Sequence, residues 1–202
     1  MKLFKSTYKT NSDEDLMRMV IKGDAYAFEL IYDRYSKAML AYFYKMLWQD
    51  REKAEDFMQD LFAKIVQKPD SFDPKRSFKT WLYSVAHNMC KNEYRKQEVR
   101  KDIRNTIDDG MQVSDGNYDS QAKQLHIKDF NSALDSALGE LEEKHRTVFI
   151  MRFKMNLSIK EIADSLEISD GTVKSRIFYC VKKLSTQLEE YNPLKQEEVY
   201  HG

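Results

Sequence analysis

Residues 157–176 read LSIKEIADSLEISDGTVKSR, a stretch with the pattern of a helix-turn-helix. Ser158 and Glu161 form a capping box that predicts the start of a short helix. The turn 167–169 ends at Ser169, a good N-cap residue for a second helix. Two helices crossing at a three-residue turn are therefore predicted, the alternative being an ordinary helical hairpin. The apolar residues that helical spacing places in the core are Ile162, Ala163, Leu166, Val173, Ile177, Val181 and Leu184.

The outward face of the predicted second helix combines cationic and hydroxyl side chains. Lysine and arginine reach phosphates or guanine edges, and hydroxyl groups bind phosphates, so this face suits the major groove of DNA. A solvated basic face without a ligand is the alternative. The candidate DNA-contacting residues of this helix are Thr172, Lys174, Ser175, Arg176, Phe178 and Tyr179.

The composition of the whole chain favours a helical protein of a reducing compartment. Its 202 residues include 33 basic and 33 acidic side chains and 42% hydrophobic residues, with few glycines and prolines, which predicts mostly α-helix rather than disorder. Two cysteines, Cys90 and Cys180, exclude a disulfide framework and a cysteine-rich zinc site. We expect buried thiols, with a single disulfide or redox sensing as the alternatives. Because no apolar run suits a membrane span and no signal peptide is recognisable, a cytoplasmic location is expected.

Zero net charge conceals an alternation of basic and acidic segments along the chain. The stretch 105–120 combines glycines and aspartates, which is typical of a linker, although a long surface loop within one domain is the alternative. We therefore predict an all-α protein of two helical domains joined by a flexible linker, the second containing the helix-turn-helix. The expected ranges are 12–100 for the first domain, 101–130 for the linker and 131–190 for the second domain.

Apolar periodicity and capping residues together predict eight helices. Gly23 separates the first two, and Pro69 lies just past the end of the third. The expected ranges are Asp13–Lys22, Ala25–Leu47, Arg51–Gln67, Trp81–Gln97, Asn131–Leu141, Lys144–Lys154, Ile159–Leu166 and Asp170–Leu188.

Residues 72–96 alternate aromatic and cationic side chains around a predicted helix. Asn88 and Asn92 lie four residues apart, so they share one face of that helix. Amides read base edges, cations hold phosphates and aromatic rings stack on unpaired bases, a combination that suits opened, single-stranded DNA. Core packing of the rings and a solvated polar face are the alternatives. The candidate DNA-contacting residues are Phe72, Lys75, Arg76, Ser77, Phe78, Lys79, Trp81, Asn88, Lys91, Asn92, Arg95 and Lys96.

Three segments, taken in order, resemble the motifs of one family. They read AEDFMQDLF at 54–62, SFKTWL at 77–82 and GTVKSR at 171–176. With these motifs the chain resembles an extracytoplasmic-function (ECF) RNA polymerase sigma factor of the sigma-70 family over about residues 12–188. The resemblance implies a promoter-specificity subunit that binds bacterial core RNA polymerase and directs transcription initiation. Such a protein is not an enzyme and has no catalytic residue, cofactor or metal.

The resemblance also implies a role for each segment. The first domain would recognise and melt the −10 element through residues 72–96, and the second helix of the helix-turn-helix would recognise the −35 element. An anti-sigma factor is an expected partner. The residues that would dock on the clamp helices of the largest polymerase subunit are Asp56, Gln59, Asp60, Leu61 and Phe62. Those that would grip the flap of the second-largest subunit are Leu141, Val148, Phe149, Ile150 and Phe153.

Three positions depart from residues that are common in the family. His87 stands where arginine is common, Asn92 where aspartate is common, and Tyr179 near a position that is commonly basic. The uncharged Asn92 fits a DNA contact, whereas Tyr179 leaves the base preference at the −35 element open. A stand-alone helix-turn-helix regulator is the main alternative, and it predicts tight duplex binding without polymerase. An enzyme is disfavoured because the sequence holds no phosphate-binding glycine loop, nucleophile elbow or His–carboxylate cluster.

Overall fold

The computed structural model describes residues 10–104 and 122–191, and the regular structure in these ranges is helical. Eight α-helices lie within them, which confirms the predicted all-α fold. None of the helices in these ranges has the length and apolarity needed to cross a membrane. The helices are α1 (Asp13–Ile21), α2 (Ala25–Met46), α3 (Arg51–Gln67), α4 (Phe78–Arg104), α5 (Ala122–Gly139), α6 (Glu143–Phe149), α7 (Ile159–Leu166) and α8 (Asp170–Gln187). Short 3-10 turns occupy Pro69–Ser71 and Glu189–Tyr191, and the π-helical turn Ile150–Lys154 continues α6.

Polar side chains immediately before the first three helices determine where those helices begin. Ser12, Asp24 and Asp50 each accept hydrogen bonds from backbone N–H groups of the first helical turn. These caps satisfy donors that a helix cannot satisfy from within itself. Between α2 and α3, Trp48 and Gln49 have left-handed φ values of 56° and 62°, and the chain reverses there so that the two helices pack together.

Helices α1 to α4 enclose a core rich in aromatic rings. Tyr42 and Phe43 of α2 are fully buried, with their ring centroids 5.8 Å apart in an edge-to-face arrangement. The hydroxyl of Tyr94 in α4 donates a hydrogen bond to the carbonyl of Met46 at the end of α2. This packing holds α4 against α2 and determines which face of α4 points outward.

The predicted helix-turn-helix is formed by α7 and α8. Val173, Cys180 and Leu184 of α8 are buried, whereas Val181 is 43% exposed. The expectation that Val181 lies in the core is therefore wrong. An α-helix turns by about 100° per residue, so positions 173, 180 and 184 lie on the same face. Because Val173 and Leu184 face inward, Cys180 also faces inward and its neighbour Val181 does not. Cys180 and Leu184 pack against α5 through a small cluster that includes Leu138.

Helices α4 and α5 are longer than predicted, and α6 changes its hydrogen-bonding pattern near its end. Helix α4 begins at Phe78 rather than Trp81 and continues to Arg104, and α5 begins at Ala122 rather than Asn131. The chain after Gln97 contains no glycine or proline before Gly110 that would end a helix. Residues 105–121, the larger part of the predicted linker 101–130, lie outside the described residues, so the division into domains stays a prediction.

The N-terminal and C-terminal parts of the described chain share one apolar core. Ile162 and Ala163 of α7 and Val148 of α6 belong to the same buried cluster as Phe43 of α2 and Leu82 of α4. Helix α7 thereby packs directly on α4. The sequence pattern contains no sign of this contact, because its two sides are far apart along the chain.

Candidate nucleic-acid interface

The three aromatic residues expected to contact the −10 element pack on one another. Phe72 and Phe78 are buried, with exposed fractions of 2% and 0%, and Trp81 is partly buried. Their ring centroids are 5.3 to 5.8 Å apart. In this arrangement Phe72 and Phe78 support the loop between them and offer no face to a base, so of the three rings only Trp81 keeps part of its surface open.

The loop 73–77 is held in place by hydrogen bonds from α1. Arg18 donates to the carbonyl of Pro74 with an N–O distance of 3.1 Å, and Glu14 accepts from the backbone N–H of Phe78 at 2.9 Å. A loop anchored at both ends presents its side chains in a defined direction. The polar side chains that it exposes are Asp73 and the three predicted DNA contacts Lys75, Arg76 and Ser77.

The outward face of α4 brings the predicted amides and cations together. Asn88 and Asn92 are both exposed, and Leu82 and Ala86 on the opposite face are buried. The arrangement offers hydrogen-bonding amides flanked by positive charge, as expected for contact with bases and phosphates. The exposed cations along the same helix include the three predicted contacts Lys91, Arg95 and Lys96.

Both cysteines are buried and carry free thiols. Burial raises the pKa of Cys90, and it raises the pKa of Cys180 to about 11. Because the thiolate is the reactive form, two protonated and inaccessible thiols are poor candidates for redox chemistry in this conformation.

The residues expected to dock on polymerase divide into an exposed and a buried group. Asp56, Gln59 and Asp60 are exposed on one face of α3. Leu61 and Phe62 are 0% and 3% exposed and pack in the core, so their contribution is to hold the helix.

The expected flap-binding residues divide in the same way. Leu141, Val148 and Ile150 are buried, with exposed fractions of 4% or less. Phe153 is 49% exposed, and its ring centroid lies 4.8 Å from that of the partly buried Phe149. Phe149 immediately precedes the π-helical turn and Phe153 lies within it, and such turns often mark functional positions in helices. An accessible aromatic pair therefore remains at the position where the sequence predicts a protein contact.

Each helix of the helix-turn-helix begins at a side-chain cap. Ser158 and Glu161 form the predicted capping box, and Ser169 accepts from the N–H of Thr172 at 3.1 Å. Glu167 has a left-handed conformation with φ 55°, a backbone conformation in which helices commonly end and which favours glycine. These bonds set the angle at which α8 leaves the turn.

The predicted DNA-contacting residues of α8 lie in one exposed region. Lys174, Ser175 and Phe178 are exposed, and Tyr179 is 54% exposed while its ring stacks on His145 at a centroid distance of 4.7 Å. Thr172 and Arg176 are partly buried. The face is cationic and hydroxyl-rich as predicted. His145, which the sequence pattern did not indicate, orients Tyr179 by stacking on its ring.

A cleft of about 250 Å³ lies between α4 and the C-terminal helices, and sequence reasoning did not find it. It brings together Lys91 and Arg176, one predicted contact from each DNA surface. Burial, with Lys91 and Arg176 nearby, lowers the pKa of His87 to about 4, so His87 is neutral at physiological pH. Burial raises the pKa of Glu143, which lines the same cleft. The residue of this cleft that stands out in the sequence is His87, which replaces a common arginine and lies one helical turn before Lys91.

No group of three or more His, Cys, Asp or Glu side chains within residues 10–104 and 122–191 is arranged to hold a metal ion.

Two family descriptions match the chain in the order of its two predicted domains. Sigma-70 region 2 matches residues 31–100, and sigma-70 region 4 matches residues 137–186.

Relatives with similar sequences extend over most of the chain. The ECF RNA polymerase sigma factor SigW of Bacillus subtilis is 32% identical over 181 residues, which are 86% of this chain and 95% of that protein. SigX of the same organism is 30% identical, with coverage of 80% and 84%. The ECF sigma factor SigL of Mycobacterium tuberculosis is also 30% identical, with coverage of 83% and 92%.

Two solved structures have a similar fold. The structure of CnrH in complex with the cytosolic domain of CnrY aligns with a TM-score of 0.66 at 24% identity, and covers 89% of this chain and 99% of that one. The sigma factor RpoE of Bartonella quintana, in complex with the anti-sigma factor NepR, aligns with a TM-score of 0.63 at 23% identity, with coverage of 80% and 96%.

Proposed function

This chain belongs to the ECF family of RNA polymerase sigma factors, and we propose how its surfaces direct transcription initiation. The protein binds bacterial core RNA polymerase in the cytoplasm, recognises the −35 element as duplex DNA and captures the melted −10 element. Sigma factors are transcription-specificity subunits, so the prediction that the protein is not an enzyme is confirmed.

The observation that carries this proposal is the presence of two chemically different DNA surfaces in one chain. Asn88 and Asn92 on α4 offer amides among cations, a surface that gains binding energy when bases are unpaired. Lys174 and Arg176 on α8 belong to a helix-turn-helix, which reads the major groove of closed duplex. Two readers joined in one chain gain specificity when polymerase fixes the distance between them.

Capture of the opened strand is assigned to α4 and the loop before it. Lys75 and Arg76 on the anchored loop hold phosphates, and the open part of Trp81 lies beside the unpaired bases. Phe72 and Phe78 maintain the shape of the loop from below. A base flipped from the non-template strand is accommodated at this loop, with Asn88 within the same surface.

Polymerase docking is assigned to two surfaces that lie apart from the DNA contacts. Asp56, Gln59 and Asp60 form an acidic, exposed face on α3 for the clamp helices of the largest subunit. Phe149 and Phe153 form an apolar contact for the flap of the second-largest subunit. On this assignment residues 12–100 form the −10 domain, 101–130 the linker and 131–190 the −35 domain.

An anti-sigma factor is a further partner that we propose. The relative RpoE of Bartonella quintana was solved with the anti-sigma factor NepR, and its fold resembles that of this chain. A partner of this class would act by preventing the polymerase contacts just described.

Fluorescence anisotropy with a labelled promoter that carries a pre-opened −10 bubble tests the proposal. We expect tight binding with protein and core polymerase together, dependent on both promoter elements, and weak binding by the protein alone. The double substitution Asp56→Ala, Asp60→Ala should lower affinity for polymerase by about tenfold or more. The pair Asp129→Ala, Asp164→Ala removes the same charge from exposed positions elsewhere and should not. Tight binding to closed duplex without polymerase would overturn the proposal in favour of a stand-alone regulator.

A further inference from the structure

We propose that the cleft between α4 and the C-terminal helices is a binding site for a small anion that carries one or two phosphate groups. The cleft has a volume of about 250 Å³. Clefts that enclose drug-sized ligands measure about 300–1,000 Å³. This one is therefore suited to a diphosphate group rather than to a whole nucleotide.

Three cationic side chains line the cleft, and each comes from a different helix. Lys91 belongs to α4, Lys144 to α6 and Arg176 to α8. Lys144 pairs with Glu142 at 2.7 Å, whereas neither Lys91 nor Arg176 has an ion pair within residues 10–104 and 122–191. A guanidinium and an ammonium group that are both unpaired can hold phosphate oxygens by charge-assisted hydrogen bonds.

The carboxylate that lines the cleft, Glu143, leaves this excess of positive charge in place. Burial raises the pKa of Glu143, and Arg146 is the charged neighbour that opposes this rise most strongly, followed by Lys91. Arg146 is 9% exposed and is not among the residues that line the cleft. Since Arg146 supplies the larger share of the charge that stabilises Glu143, Lys91 and Arg176 together still favour a negative ligand.

Two neutral polar groups of the cleft residues lack a hydrogen-bond partner among the described residues. They are the hydroxyl of Thr147, a residue only 1% exposed, and Nδ1 of His87. A buried polar atom without a partner costs free energy. A hydroxyl group and a neutral imidazole can each donate a hydrogen bond to a phosphate oxygen, so a bound anion would satisfy both.

The remaining wall of the cleft is apolar. Leu166 at the end of α7 and Ile168 in the turn after it are partly buried and line the cavity. Charges attract a ligand more strongly beside a wall of low dielectric constant than in open water. Because Lys91 and Arg176 are also assigned to promoter DNA, a bound anion would compete with DNA for both. That consequence rests on the proposed function, whereas the site itself rests on the cleft.

Isothermal titration calorimetry of the full chain with inorganic pyrophosphate tests the site, at about 0.15 M sodium chloride to screen exposed charges and without divalent metal. Lys91→Gln with Arg176→Gln removes the two unpaired cations. Arg100→Gln with Lys182→Gln removes one arginine and one lysine from exposed positions of the same two helices and is the control. Thr147→Val removes the hydroxyl and keeps a side chain of similar shape.

We expect one saturable site in the parent and in the control, and binding weaker by about tenfold or more in Lys91→Gln, Arg176→Gln. Thr147→Val should also bind about tenfold more weakly and should keep the circular dichroism spectrum of the parent. In the parent, pyrophosphate should shift the imidazole NMR signals of His87 and raise its pKa, because nearby negative charge favours the protonated ring.

Three results would overturn the site: no saturable binding by the parent, equal losses in the two double variants, or parent-like affinity in Thr147→Val. Adenosine diphosphate carries the same diphosphate on a larger group and should bind no more tightly than pyrophosphate, and tighter binding would contradict a site for a small anion. The titration contains neither DNA nor polymerase. Transcription by the parent with core polymerase therefore reports on the proposed function separately and would persist if only the anion site were wrong.

Discussion

Lys79 at the start of α4 and Glu161 in α7 form an ion pair of 2.9 Å, although they lie 82 residues apart in the chain. Partial burial by itself raises the pKa of Glu161, but hydrogen bonds from Lys79 and Ser158 outweigh it and lower the pKa to about 2. The carboxylate is therefore charged at every physiological pH. The same side chain caps the first helix of the helix-turn-helix and holds it against α4, so one residue joins the helix-turn-helix to the start of α4.

Replacing Arg176 tests direct readout of the −35 element. Arg176→Ala should weaken −35-dependent transcription by about 1–3 kcal/mol, the range for losing one bidentate contact to a base. Lys182→Ala, which removes an exposed cation further along α8, should have a much smaller effect. Run-off transcription from promoters with each −35 position substituted gives both values. Unchanged transcription by Arg176→Ala would show that this side chain does not read the element.

Replacing the two amides of α4 tests strand capture. Asn88→Ala with Asn92→Ala should leave polymerase binding intact and impair promoter opening or −10 selectivity, because both amides lie on the exposed face and away from α3 contacts. Permanganate footprinting of the transcription bubble measures the opening. Glu98→Ala, an exposed substitution on the same helix, is the control. Wild-type footprints together with a wild-type base preference would contradict the role of the amides.

Tyr42 and Tyr94 are predicted to respond in opposite directions to loss of their hydroxyl groups. The buried hydroxyl of Tyr42 has no hydrogen-bond partner among the described residues, whereas that of Tyr94 donates to the carbonyl of Met46. Tyr42→Phe should therefore raise the free energy of unfolding by about 1 kcal/mol, and Tyr94→Phe should lower it by about the same amount. Urea titrations followed by circular dichroism measure both. A loss of stability in Tyr42→Phe would mean that its hydroxyl is satisfied in solution.

His87 is predicted to make stability depend on pH. Its pKa is about 4 in the folded protein and about 6.5 in an unfolded chain, so between these values only the unfolded chain is protonated at this site. The unfolding free energy should therefore fall as pH falls from about 6.5 to about 4. Lys91 and Arg176 face His87 and strengthen the effect, while the raised pKa of Glu143 in the same cleft opposes it.

The variant His87→Gln isolates this contribution. Urea unfolding at a series of pH values should give a shallower decline in stability for His87→Gln than for the parent. Lys144, which also lines the cleft, and His145, whose pKa is lowered chiefly by burial, are present in both proteins. Identical slopes for the two proteins would contradict a buried, neutral His87.

Local signals predicted most of the helices because capping and periodicity are encoded within a few residues. Ser158, Glu161 and Ser169 set the ends of α7 and α8 where the sequence places them. The helical pattern places Val181 in the core beside its neighbour Cys180, but only Cys180 is buried. Such errors arise where two neighbouring residues are both apolar and the pattern alone cannot separate them.

Burial and long-range pairing could not be predicted in the same way. An alternation of aromatic and cationic residues is compatible both with stacking on bases and with a core, and Phe72 and Phe78 are buried. The pairs Lys79–Glu161 and Lys45–Asp135 join residues more than 80 positions apart, for which one sequence holds no local signal. The exposure of the polar residues on α4 and α8 was therefore predictable from local patterns, whereas the packing of these parts of the chain against one another was not.

Run-off transcription with purified bacterial core polymerase, on promoter fragments from the genome that encodes this chain, tests the central claim most directly. The account predicts defined transcripts that appear only when polymerase and this protein are both present, with common −35 and −10 sequences upstream of their start sites. Failure to obtain such transcripts with a polymerase that binds the protein, together with tight binding of the protein alone to closed duplex, would contradict it.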